Sequence, residues 1–124
     1  MSSKNRRLWP SLACAIQGIR QAFRQERNLR IHCAAAALAA AAGFIFKLSA
    51  GEWAVLLLTI TLVIFAELLN TALEASVNLV TRKHQPEAKL AKDAAAGAVL
   101  LTALNAVLIG LLIFGAKIWE FFRQ

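Results

Sequence analysis

The sequence lacks most of the features that usually reveal a functional site. Only two of its 124 residues are cysteines, Cys14 and Cys33, and they form neither a disulfide framework nor a metal-ligand spacing. We expect both to be plain apolar side chains. There is no Walker A loop and no GxGxxG motif, so any nucleotide site must be of a non-standard kind. No secretory signal peptide is expected, because roughly thirty mainly polar and basic residues precede the first apolar run.

Acidic residues are also scarce, which leaves a chain that is basic and strongly apolar at the same time. Seven Asp and Glu stand against 14 Lys and Arg, for a net charge of +7, and 59% of the residues are hydrophobic. Soluble domains lie nearer to half apolar. A nucleic-acid binder would interleave its basic residues with polar and aromatic ones, so we expect no nucleic-acid partner. The combination indicates a membrane protein.

The apolar residues fall into four segments, which predict an all-α membrane protein with a single domain, 1–124. In the first segment a stripe that includes Leu12, Ile16 and Ile19 lies opposite arginines, as in a helix at the membrane interface, and Pro10 suits its first turn. The other three are long enough to cross a bilayer. The predicted elements are a surface helix at about 10–28 and membrane helices at about 29–47, 52–81 and 87–119.

The basic residues are distributed unevenly between the two sides of these spans. Eleven of the 14 Lys and Arg lie before the first span or between the second and third, and the other three are Lys47, Lys117 and Arg123. Positive charge collects in cytoplasmic loops. We therefore expect a cytoplasmic N-terminus and second loop, with the C-terminus outside.

Polar residues interrupt the second span in the stretch FAELLNTALEASVNLV, residues 65–80. At about 100° per residue, five of them share one helical face opposite Leu, Ile and Val. They are Glu67, Asn70, Thr71, Glu74 and Asn78. Ionisable residues inside a membrane are costly and mark a functional site by default. The alternative is a polar seam that only fixes helix pairing, for which one Asn would suffice.

Two other segments bring polar side chains to the same cytoplasmic boundary. Lys92 and Asp93 lie where the third span enters the membrane, and Glu26, Asn28 and His32 lie where the first one does. A lysine can meet a phosphate, and a carboxylate can hold Mg²⁺. By itself, His32 is interpreted as an interface histidine with satisfied hydrogen bonds. Together, the three segments indicate phosphoryl transfer to a lipid.

Three quoted stretches resemble one family, the prokaryotic diacylglycerol kinases. ELLNTALEASVN (67–78) is similar to the family signature E-x-x-N-[ST]-A-[IL]-E-x-x-V-D, and AKDAAAGAVL (91–100) to its second conserved block. ERNLRIH (26–32) looks more like the undecaprenol kinase branch. The resemblance implies homotrimers of three-span subunits in the bacterial inner membrane, with active sites shared between neighbours. It also implies ATP with Mg²⁺ as phosphoryl donor and a membrane lipid alcohol as acceptor.

The resemblance also implies roles for single residues. Glu67 matches the proposed general base of the family, and Glu26 and Glu74 match its metal-binding glutamates. The positions near the nucleotide and the reacting phosphate are Asn70, Lys92 and Asp93. The chain departs from the signature at its last position, where Asn78 replaces Asp.

The sequence leaves three questions open. The acceptor can be undecaprenol or diacylglycerol, because both present a primary hydroxyl on a long apolar body. Asn78 is expected to accept a hydrogen bond from a donor such as Lys92, and the alternative is donation from its amide to Glu74. The function itself has an alternative in another class, a non-catalytic membrane oligomer or a proton or ion pathway built on the same polar stripe.

Overall fold

The computed structural model describes residues 5–124, which form four helices. They are α1 Asn5–Gln25, α2 Arg27–Ile45, α3 Ala50–Val80 and α4 Pro86–Arg123. The last three are long and apolar enough to cross a membrane. The described chain is therefore all-helical with three candidate spans, as the sequence predicts.

The first helix begins earlier than expected, at Asn5 rather than at about residue 10, and Pro10 lies inside it instead of in its first turn. The apolar stripe already starts with Leu8, ahead of the proline, and a proline near a helix start leaves few carbonyls without a partner. The stripe continues through Leu12 to Phe23 and stays exposed. Placement of this stripe in the membrane interface stays a prediction.

A sharp corner at Glu26 separates α1 from α2. The guanidinium of Arg30 reaches back and donates hydrogen bonds to the carbonyls of Phe23 and Arg24, at 3.0 and 2.7 Å. These carbonyls belong to the last turn of α1 and have no partner within the helix. Leu29, in the first turn of α2 after the corner, is buried and only 1% exposed. The corner is thus fixed by both a cap and a buried side chain.

The opposite end of the bundle, where α2 meets α3, is closed by close packing and by charge. Gly43 faces the indole of Trp53, and a Cβ at Gly43 would lie 2.8 Å from a ring carbon, so only glycine fits. Ser49 and Glu52 form a reciprocal capping box at the start of α3. Lys117 of α4 approaches the Glu52 carboxylate at 3.3 Å. We call this the far end, and the end with Glu26 and residues 81–85 the polar end.

The small core lies towards the far end. α3 packs most extensively against α4 and also contacts α1 and α2. The buried cluster consists of Leu48, Leu56 and Ile113. Most large apolar side chains are exposed in the single chain, as is usual for helices whose surroundings are lipid or a neighbouring subunit. Because the core lies towards the far end, the polar residues at the other end of α3 are not needed for core packing.

Three candidate spans would place the two termini on opposite sides of a membrane, and the distribution of basic residues predicts the orientation. We predict that, without Cys14 and Cys33, a cysteine at position 124 reacts with a membrane-impermeant maleimide added to intact cells. A cysteine at position 3 should react only after permeabilisation, because the basic polar end stays in the cytoplasm. Labelling of both positions from the same side would contradict this topology.

Candidate active site

The polar face of α3 is turned inward at one carboxylate. Glu67 is 3% exposed, and its Oε1 lies 3.2 Å from Nε2 of His32 on α2. The contact has the distance of an ion pair without the alignment of a hydrogen bond. Within residues 5–124, Oε1 accepts no well-directed hydrogen bond. A carboxylate this deeply buried requires a partner, and His32 is in position to be one.

A second buried acceptor lies on the same face, one turn along α3. Oδ1 of Asn70 is buried and has no hydrogen-bond partner in the described part of the chain. The hydroxyl of Thr71, by contrast, is satisfied by the carbonyl of Glu67 at 3.0 Å. Oε1 of Glu67 and Oδ1 of Asn70 are therefore two buried acceptors to which a donor or a cation could bind. Buried polar atoms in native proteins are nearly always paired, so both oxygens fit a bound group or a neighbouring subunit.

Two further carboxylates, Glu26 and Glu74, lie close enough to Glu67 for their charges to interact with it. Among the described residues, however, no three His, Cys, Asp or Glu side chains converge closely enough to hold a metal ion. Mg²⁺ is usually held by one or two carboxylates together with substrate phosphates and water. A Mg²⁺ ion at this site would therefore need oxygen ligands from a substrate phosphate or from water in addition to one or two of these carboxylates.

Further towards the polar end, α3 and α4 are joined by a polar contact. Nζ of Lys92 donates to Oδ1 of Asn78 at 2.8 Å, which is the arrangement expected from the sequence. The next residue, Asp93, accepts from Lys89 on its own helix at 2.5 Å, and both side chains are exposed. Lys92 and Asp93 thus have different partners. Asn78 lies about 16 Å along the α3 axis from Glu67.

The polar residues form a row along α3 rather than a compact cluster. In the structure Glu26 and Glu74 lie close enough to Glu67 for their charges to interact with it. Lys92 lies at the other end of the row, next to Asn78. Such a row is long enough for a nucleoside triphosphate to lie along it. Asp93 is the member of the predicted set whose contact is directed away, towards Lys89.

An apolar groove of about 480 Å³ runs between α2, α3 and α4 and begins at His32, the neighbour of Glu67. His32 is the polar residue at one end of this groove. Ala42, Leu56 and Phe114 line its other end, which lies nearer to the far end of the bundle. From His32 to Ala42 the groove follows α2 for about 15 Å. Its shape suits an extended hydrocarbon chain whose head lies at His32.

Two residues contribute more to this site than the sequence alone indicates. His32 is the residue of α2 that reaches Glu67, rather than only an interface histidine. Arg30 does more than add positive charge, because it caps α1 and so fixes the position of Glu26. Both residues belong to the short ERNLRIH stretch, 26–32, which is the part of the sequence that could have indicated them. The spacing of residues within this stretch does not show which of them contacts another helix.

The model of the prokaryotic diacylglycerol kinase family matches residues 13–114. The chain belongs to this family. An undecaprenol kinase of Bacillus subtilis is 47% identical over 112 residues, which cover 90% of this chain and 91% of that protein. A diacylglycerol kinase of Synechocystis is 46% identical over 101 residues, covering 81% of this chain and 58% of the relative. A diacylglycerol kinase of Pseudomonas aeruginosa is 31% identical over 102 residues, or 81% and 83% of the two chains.

Membership in the prokaryotic diacylglycerol kinase family confirms the lipid kinase interpretation. The protein is a phosphotransferase with an alcohol group as acceptor, and the use of ATP is implied by the family. The three apolar helices agree with a membrane protein. The polar stripe of α3 is thus the stripe of a lipid kinase rather than of a non-catalytic oligomer or an ion pathway.

The bond between Asn78 and Lys92 generates a prediction about the departure from the family signature. Asn78→Asp keeps an acceptor oxygen for Lys92, so the rate and the Mg²⁺ midpoint should stay within about twofold of the wild type. Asn78→Leu removes the acceptor, frees the Lys92 ammonium, and should lower the rate several-fold more than Asn78→Asp does. A several-fold higher Mg²⁺ requirement of Asn78→Asp, with a lower rate, would contradict this role of Asn78.

Proposed function

We propose that this protein transfers the γ-phosphate of ATP to the hydroxyl of undecaprenol at the cytoplasmic face of the bacterial inner membrane. The observation that carries the proposal is the buried carboxylate of Glu67 beside His32, the residue that lines the polar end of an apolar groove. Undecaprenol is favoured over diacylglycerol because the relative named undecaprenol kinase is similar over nearly its whole length. Diacylglycerol is the second candidate acceptor.

In the proposed reaction Glu67 is the general base. Its carboxylate accepts the proton of the lipid hydroxyl as the hydroxyl oxygen forms a bond to the γ-phosphorus. The bond between that phosphorus and the β,γ-bridging oxygen breaks, and ADP leaves with the electron pair. Transfer of this kind depends mainly on alignment and on stabilisation of the phosphate charge. The low exposure of Glu67 keeps water from competing for the phosphoryl group.

The remaining residues of the row bind and orient the nucleotide. We assign the Mg²⁺ ligands to Glu26 and Glu74; the ion, when bound, neutralises charge on the β- and γ-phosphates. Asn70 lies on the same face of α3, between Glu67 and Glu74, and we assign it to the nucleotide site through its amide NH₂ group, which can donate to a phosphate. Lys92, held by Asn78, offers a cation to the nucleotide phosphates. Asp93 follows Lys92 at the same boundary, where we assign it to the nucleotide site; in the single chain its carboxylate is paired with Lys89.

The lipid enters sideways from the bilayer. The groove below His32 is walled by small side chains, among them Ala35, Ala39 and Gly110, which leave room for the tail of the acceptor. The hydroxyl then lies at the polar end, within reach of Glu67. An apolar tail in an apolar groove fixes the position of the reacting oxygen without any polar contact along the chain.

We further propose that the protein is a homotrimer with shared active sites. Asn105 lies at the middle of α4 and is exposed in the single chain, where a polar side chain in lipid would be costly. A second groove, between α3 and α4, is lined by alanines that include Ala91, Ala94 and Ala98 and also by Asn70. Small residues allow a neighbouring helix to approach closely. A helix of another subunit seated there would supply the partner that Asn70 lacks.

The first experiment uses purified wild-type protein with ATP–Mg²⁺ and either undecaprenol or diacylglycerol in mixed micelles. We expect phosphate transfer to undecaprenol with the higher kcat/KM. Glu67→Gln should reduce the rate by about 10²-fold or more while the oligomer persists, because the amide has the same shape but cannot accept the proton. Retention of more than about a tenth of the wild-type rate would show that Glu67 is not the base.

A second experiment addresses the metal ligands. Glu26→Gln and Glu74→Gln should each raise the Mg²⁺ concentration needed for half-maximal rate as well as lower the maximal rate, because each removes a hard oxygen ligand. Glu87→Gln, an exposed carboxylate in the first turn of α4, is the matched control and should leave the Mg²⁺ curve unchanged. Wild-type Mg²⁺ curves for both site variants would remove Glu26 and Glu74 from the metal site.

A further inference from the structure

The contact between His32 and Glu67 joins two helices at the reacting end of the site. His32 belongs to the second turn of α2, and Glu67 lies near the middle of α3. Nε2 and Oε1 are 3.2 Å apart, and the two side chains are 26% and 3% exposed. We propose that His32 is a positioning residue, which holds one oxygen of the Glu67 carboxylate so that the other faces the lipid hydroxyl. This inference rests on the proposed function.

The electrostatic surroundings of Glu67 make such a partner necessary. Glu26 and Glu74 are carboxylates close to Glu67, and like charges disfavour an ionised carboxylate there, whereas Nε2 of His32 lies 3.2 Å from its Oε1. An ionised carboxylate out of contact with water is strongly disfavoured unless a donor or an opposite charge compensates it. Oε1 accepts no well-directed hydrogen bond from residues 5–124, so His32 is the nearby side chain that can supply one. Its donation keeps Glu67 available as a base.

A small rotation of the imidazole would align its N–H with Oε1. Catalytic hydrogen bonds are often long or poorly aligned before the substrate is bound and tighten in the reacting complex. His32 also forms the polar end of the apolar groove, so a lipid head that arrives there reaches both side chains together. The proton of the hydroxyl passes to Glu67, while His32 keeps its own proton throughout. His32 therefore acts through Glu67, without exchanging a proton with the substrate.

A purely structural role of His32 predicts a different result. If the contact only ties α2 to α3, any variant that keeps the bundle intact should keep the turnover number. A positioning role instead requires a donor at the reach of Nε2. Substitution of His32 by glutamine or asparagine distinguishes the positioning role from the structural role, because the two side chains carry the same amide and differ only in length. The glutamine amide nitrogen can reach the place of Nε2, and that of asparagine falls short.

The test compares kcat and both KM values of His32→Gln, His32→Asn and His32→Leu with those of the wild type. We expect His32→Gln to keep kcat within about threefold, and His32→Asn and His32→Leu to lose about tenfold or more, with the KM for the lipid within about twofold. Cys33→Ala, the neighbouring residue on α2, is the matched control and should behave as the wild type. Equal kcat for the Gln and Asn variants would overturn the inference, even if His32→Leu did not fold.

A double-mutant cycle shows whether the effect passes through Glu67. In a Glu67→Gln background, His32→Asn should cause no further loss of rate, because there is no longer a carboxylate to position. Independent, multiplicative losses would overturn the inference. A wild-type protein that phosphorylates no lipid alcohol would overturn the proposed function and this inference with it. An active wild type whose His32→Asn variant matches Cys33→Ala would overturn this inference alone.

Discussion

The cost of placing carboxylates and carboxamides in an apolar helix determines the rest of this structure. A bilayer offers no water to such groups, so each must face protein, ligand or a wet boundary. The polar residues of α3 therefore share one face, and the deepest of them, Glu67, is turned towards α2 until it meets His32. Asn78, at the boundary, is turned towards α4 and accepts from Lys92. The packing of both neighbouring helices thus follows from the polar face of α3.

The two ends of the bundle differ in how their polar groups are satisfied. The far end satisfies its polar groups internally, through the capping box of Ser49 and Glu52 and the ion pair with Lys117. Its apolar contacts, such as Gly43 against Trp53, leave no space. The polar end leaves acceptors unpaired, and the apolar groove that begins there at His32 extends towards the core as far as Leu56 and Phe114. A rigid far end allows the polar end to keep a site that is open towards substrates, because the helices that carry it are already fixed in direction.

The sequence predicted the features that depend on one helix at a time. Helical periodicity placed Glu67, Asn70 and Glu74 on one face, and hydropathy found the three spans. It missed the start of α1, because Pro10 suggested a boundary while the apolar stripe continued past it to Leu8. The contact of His32 with Glu67 could not be predicted in the same way, because a contact between side chains 35 positions apart depends on how two helices are rotated against each other. The Lys92–Asn78 contact was expected because charge and proximity to the same loop constrained it.

Two buried oxygens without a partner support the proposal that the site is completed by groups outside the single chain. A buried acceptor without a partner costs about 1–3 kcal/mol, and Glu67 and Asn70 each present one in the described chain. Native structures rarely tolerate two such atoms on neighbouring turns unless something else satisfies them. In the proposed trimer two sources would supply these partners: a substrate hydroxyl at Glu67, beside the polar end of the apolar groove, and a neighbouring helix on the alanine-lined groove beside Asn70. Because different partners would satisfy the two atoms, the proposal couples assembly of subunits and binding of substrate through the same helical face.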